Sequence, residues 1–103
     1  MTAAGRLRVV VAGPVGPEDP RAVTAARALR DAGAEVVLAG GTTAGRLAAT
    51  VVQEDADALV VADPPEDLAA GLAAAGADDV VLLVLGDGGT APGDVVAALR
   101  PGR

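Results

Sequence analysis

The stretch Leu7-Arg8-Val9-Val10-Val11-Ala12-Gly13-Pro14-Val15-Gly16-Pro17-Glu18-Asp19-Pro20 decides the fold. Its first half is a compact apolar run rich in β-branched residues, which reads as a strand buried on both faces. Gly and Pro then force the chain to turn, and a helical pattern begins beyond Pro20. Open α/β sheets build ligand sites in such loops, where the carboxyl end of a strand leads into a helix.

Outward from this stretch the same unit recurs. Residues 7–12, 35–39, 58–62 and 80–85 read as strands. Helical patterns cover 21–32, a segment that starts at Thr42 or Thr43 and runs to about Asp55, then 66–75 and 92–99. In the first helix Ala22, Ala25, Ala26 and Leu29 share one face, while Arg27, Arg30 and Asp31 point elsewhere. Gly33 suits the position just past that helix and Gly76 the end of the third. In the second helix Leu47, Ala48, Val51 and Val52 are expected to face inward. Regular alternation with fully apolar strands predicts a single α/β domain over residues 1–103. The expected architecture is a flavodoxin-like (Rossmann-like) doubly wound parallel sheet, four strands with four helices, right-handed crossovers and the usual fifth strand missing. The fourth strand then forms an apolar edge, and such edges are covered or paired. A larger protein partner, or a homo-oligomer through this strand, is therefore expected.

Composition narrows the chemistry. Of 103 residues 51% are hydrophobic, enough for a folded core, but none is aromatic. Eight Arg stand against fourteen acids, a net charge of −6, which opposes binding to nucleic acid or to an anionic membrane surface. No apolar run is long enough to span a bilayer and no secretory leader is evident at the N-terminus, so a cytoplasmic location is expected. His, Cys and Ser are absent. The usual ligands for zinc, copper or haem are therefore missing, as are Ser-His-Asp and Cys-His nucleophiles. No residue is assigned a catalytic or metal-binding role.

The loops at strand carboxyl ends, 13–19, 40–43, 63–65 and 86–90, hold the remaining candidates. Gly13-Pro14-Val15-Gly16 is neither a phosphate-binding P-loop nor a dinucleotide fingerprint, because the Lys or third Gly is missing. Gly86-Asp87-Gly88-Gly89-Thr90 allows close backbone approach of a flat or anionic ligand, or serves simply as a turn. Asp63 stands where response-regulator receivers carry their phosphorylated Asp. The acidic pair after the first strand is replaced by Ala12-Gly13 and Lys is absent, so Asp63 reads as a helix cap. Glu18 and Asp19 are adjacent carboxylates near a helix N-terminus, a favourable place for negative charge.

The run Arg27-Ala28-Leu29-Arg30-Asp31-Ala32-Gly33-Ala34-Glu35-Val36-Val37 resembles the first helix and second strand of the cobalamin-binding domain of acyl-CoA mutases of the methylmalonyl-CoA mutase type. The resemblance continues through Gln53-Glu54-Asp55-Ala56-Asp57-Ala58-Leu59, Gly76-Ala77-Asp78-Asp79-Val80-Val81-Leu82 and the segment 86–94, covering about residues 7–99. In that family the first loop carries Asp-x-His-x-x-Gly, whose His becomes the lower cobalt ligand. The matching positions here are Gly16, Glu18 and Arg21. A Ser-x-Leu after the third strand falls near Ala62-Asp63-Pro64 and is also replaced. The family's glycine turn survives as Gly86, Gly88 and Gly89. The resemblance thus implies cofactor-facing positions at Gly16, Glu18, Asp63, Gly86, Gly88 and Gly89, with His-on cobalt ligation lost. It implies a degenerate cobalamin-binding-like domain, a non-catalytic accessory or partner-binding subunit of a mutase-like or biosynthetic complex that carries no cofactor. The alternative is a corrinoid-binding small subunit of an acyl-CoA mutase, a B12-dependent isomerase, holding cobalamin without a protein His ligand.

Overall fold

The computed structural model describes residues 7–13, 18–39, 43–86 and 89–99. Its elements run β1 (Arg8–Ala12), α1 (Pro20–Asp31), β2 (Glu35–Ala39), α2 (Ala44–Glu54), β3 (Ala58–Ala62), α3 (Leu68–Ala74), β4 (Val81–Leu85), a 3-10 turn (Pro92–Asp94) and α4 (Val95–Leu99). The four strands form one parallel sheet in the order β2-β1-β3-β4. This is the doubly wound α/β arrangement expected from the strand-helix alternation, consistent with a flavodoxin-like fold.

Successive side chains point to opposite faces and both faces are covered, so β3 is apolar throughout and β1 from Val9 onward. On one face Val9 and Val11 of β1 with Ala58, Val60 and Ala62 of β3 pack against Ala22, Ala25 and Leu29 of α1 and Val95 of α4. On the other, Val10, Ala12, Leu59 and Val61 meet Leu47, Ala48 and Val51 of α2 and Leu68 and Leu72 of α3. β3 is buried at every position and β1 at all but its first. With helices on both sides, none of these buried positions can be polar without losing water and gaining no partner.

The helix ends follow local chemistry. Asp19 caps α1, with Pro20 in the first turn. Thr43 caps α2 by accepting from the Arg46 N–H. Gly33 and Gly76, both at positive φ, follow α1 and α3 as read from the sequence. Four details differ from expectation. α3 starts at Leu68 rather than 66, after Asp67, whose side chain makes no capping bond. Asp63 does not cap α3: it lies four residues before the cap position at Asp67, in the left-handed region at φ 51°. The last helix is split, because Pro92-Gly93-Asp94 makes a 3-10 turn before α4. Val52, expected inward, is 52% exposed; the stripe that reaches the sheet passes through Ala44, Leu47, Ala48 and Val51 and leaves Val52 on its rim.

β4 lies at the edge of the sheet, and Val81, Leu82 and Val84 are 49%, 37% and 37% exposed. Thr90 covers its carboxyl end: the Thr90 N–H donates to Val84 O at 2.8 Å, and Gly86 N–H donates to Thr90 O at 3.0 Å. Gly89 is required here, since a Cβ on it would lie 2.3 Å from Val84 O.

The two-sided burial predicts a sharp contrast. Leu59→Ala, at a fully buried position, should cost about 2–5 kcal/mol in urea unfolding followed by circular dichroism, whereas Val52→Ala should change stability by less than about 0.5 kcal/mol.

Candidate functional site

In the order β2-β1-β3-β4, the chain leaves β1 toward one edge and β3 toward the other. The crevice between the carboxyl ends of β1 and β3 is therefore the topological switch point, where such sheets bind ligands. Its walls are the loop from β1 to α1 and the loop from β3 to α3.

An ion-pair cluster of the protein's own occupies this crevice. Asp19, 1% exposed, receives Arg21 N–H at 2.9 Å, Arg21 Nε at 3.3 Å and Arg21 Nη2 at 3.2 Å. Its backbone carbonyl accepts from Val23 N–H, the first helical bond of α1. Arg21 Nη2 then reaches across to Asp63 Oδ2 at 2.9 Å. The guanidinium thus bridges a buried carboxylate on one wall and an exposed one on the other. It also borders the fourth loop, because a Cβ on Gly86 would stand 3.8 Å from Arg21 Nη1.

The physical causes are separable. A buried carboxylate without partners would be costly, and the cap position supplies them: the α1 backbone and a cation two residues on. The hydrogen bond from the Arg21 side chain holds the Asp19 carboxyl below its ordinary value; burial opposes this, and the backbone N–H of Arg21 and the charge of Arg21 add to it. The same bonds to Asp19 and Asp63 keep the guanidinium protonated at any accessible pH. Gly13 makes room for the arrangement: a Cβ there would fall 2.7 Å from the Asp19 Cβ.

Of the sequence-predicted positions, Asp63 and Gly86 are brought together around Arg21, while Glu18 is exposed in the turn before α1 and takes no part in the cluster. Gly89 serves the turn over β4 rather than an open cradle. Gly16 and Gly88 lie outside the described residues, as do Gly40 and Gly41. In the sequence Asp19 is one of two adjacent carboxylates with Glu18, and no partner from another loop is in view. The structure supplies one, Asp63, through Arg21. Asp-Pro at the start of a helical pattern was the available signal for a capping Asp19; no local signal joins Arg21 to a residue 42 positions away.

At the opposite, amino-terminal rim of the sheet lies an open depression of about 420 Å³ between Arg8, Arg30, Glu35 and Glu54. Its charges are largely matched: Arg8 donates to Glu35 Oε1 at 2.8 and 3.1 Å and to Glu54 O at 3.2 Å. The bond and the charge of Glu35 raise the guanidinium pKa. Among the described residues no group of three or more His, Cys, Asp or Glu side chains is placed to hold a metal ion, and no helix is long and apolar enough to cross a membrane.

No protein-family model and no curated protein matches this chain.

Two outcomes test the cluster. Gly13→Ala should displace Asp19 and destabilise the fold by about 1–3 kcal/mol in thermal unfolding, the cost typical of overpacking a close-packed site. The second concerns acid. A carboxyl whose folded pKa lies below its unfolded value near 3.8 binds more protons when unfolded. Its contribution is complete above that value and is lost as pH falls through the folded pKa. Asp19→Asn should therefore lower stability at pH 7 and flatten the acid-side slope below about pH 4 relative to wild type, measured as urea midpoint against pH.

Proposed function

We propose that this chain is a cobalamin-binding-like domain that carries no corrinoid and acts as a non-catalytic accessory subunit, binding a protein partner in a mutase-like or biosynthetic enzyme complex. One observation carries the reading: the switch-point crevice is spanned by Arg21 and its two carboxylates, side by side with an apolar edge strand left open. A cofactor tail entering between β1 and β3 would have to break the Asp19–Arg21–Asp63 bridge and strand a buried carboxylate, an expensive loss.

The residues at the crevice do not fit a cobalt corrinoid held His-on. Glu18 stands at the position that the resemblance assigns to the lower ligand, and a carboxylate is a poorer cobalt ligand than an imidazole. Arg21 stands where the family has Gly, and its side chain takes the space that Gly leaves free. Catalysis by this chain alone has little to draw on. Asp19 is locked in its capping and ion-pair bonds, and Asp63 faces the same cation. The Asp19 carboxyl, held below its ordinary value, is not poised to exchange a proton near neutral pH.

The full-length chain should leave the visible spectra of hydroxocobalamin and adenosylcobalamin unchanged during titration, and neither should co-elute with it in gel filtration. A stoichiometric spectral shift would overturn the accessory reading in favour of a corrinoid-binding small subunit that retains the cofactor's own base.

A further inference from the structure

The charges of this protein are divided unevenly along the chain. Between residues 47 and 99 there is no Lys or Arg, while ten of the fourteen acids fall in that span. It contains β3, α3, β4 and α4. The apolar edge of β4 is thus set in the base-free half, and Asp78 and Asp79 immediately precede it, both exposed.

The edge also has free hydrogen-bonding capacity of defined extent. Val81 N–H donates to Asp57 O on the β3 side. In a strand successive residues direct their backbone groups to opposite sides, so Leu82 and Val84 present theirs outward. Thr90 takes the Val84 carbonyl. Among the described residues, the amino-terminal part of the edge stays open, centred on Leu82 and adjoining the two aspartates.

We infer that this edge accepts an added β-strand from a protein partner, a segment apolar at its centre and flanked by Lys or Arg. The inference rests on the accessory reading above and names the partner's chemistry. Backbone pairing to Leu82 supplies the register, apolar side chains cover Val81 on one face and Leu82 and Val84 on the other, and cationic ends meet Asp78 and Asp79. Charge selects against a second copy docking by the same edge, because two base-free halves, in molecules of net charge −6, would be brought together.

The test uses the full chain and a labelled peptide, Lys-Lys-Val-Thr-Val-Thr-Val-Lys-Lys, with a second peptide in which Glu replaces every Lys. Fluorescence anisotropy should give a Kd on the order of 10–100 µM for the Lys peptide, rising several-fold from low to high salt, and at least about tenfold weaker binding of the Glu peptide. Leu82→Pro removes an outward N–H without touching the β3 ladder and should abolish binding. The double variant Asp78→Asn, Asp79→Asn leaves the strand intact and should weaken the Lys peptide several-fold. Equal binding of both peptides, unchanged binding by a folded Leu82→Pro, or no binding of either peptide overturns the inference. A dimer in sedimentation that Leu82→Lys dissociates also overturns it, assigning the edge to a second copy. If the peptides fail and cobalamin also fails to bind, this inference alone falls. If cobalamin binds, the accessory reading falls whatever the peptides do.

Discussion

Everything in this protein depends on burying β1 and β3 on both faces at once. Neither strand has an aromatic side chain to spend area on; Val, Leu and Ala must do it through close packing, layer against layer. A strand covered from two sides requires helices that depart in two directions, and the right-handed crossover rule leaves few ways to connect them. α1 and α4 therefore take one face, α2 and α3 the other, and the departures from β1 and β3 diverge. The crevice at their carboxyl ends follows from that divergence and needs no separate cause.

What fills the crevice is a matter of electrostatics. The residue that caps α1, Asp19, is an acid, and it is buried. A buried carboxylate demands a cation, and Arg21, two residues on at the start of the same helix, supplies it, its Nη2 donating both to Asp19 and across the gap to Asp63. Local capping, charge compensation and closure of the crevice are thus one structure. Asp63, itself in the left-handed region, carries the carboxylate that faces Arg21.

The two edges of the sheet are unlike. β2 is half-buried along most of its length and its rim is laced by Arg8 with Glu35 and Glu54. β4 has no charged side chain, three exposed apolar ones and acids just before it. Natural sheets blunt an open edge with charge or cover; among the described residues Thr90 covers the carboxyl end alone. A crevice spanned by the Arg21 bridge and an apolar edge strand are the common ground of the two proposals.

Strand identity, helix count, layer order and the apolar edge were all legible in the sequence, because each depends on the period of apolar residues and on Gly and Pro within a few positions. So were the absences that remove imidazole and thiol chemistry, since composition needs no fold. The cluster at the crevice was not legible. In the sequence Glu18 and Asp19 read as adjacent carboxylates, Asp63 reads as a cap, and nothing links Arg21 to either loop. Only the parallel pairing of β1 with β3 brings residues 19 and 63 to opposite walls of one gap, within reach of a single guanidinium. The sequence by itself determined which segments form strands and helices, because that is decided by neighbours along the chain. Tertiary structure alone decided which charges meet, because those distances are set by strands that are neighbours in space and far apart in sequence.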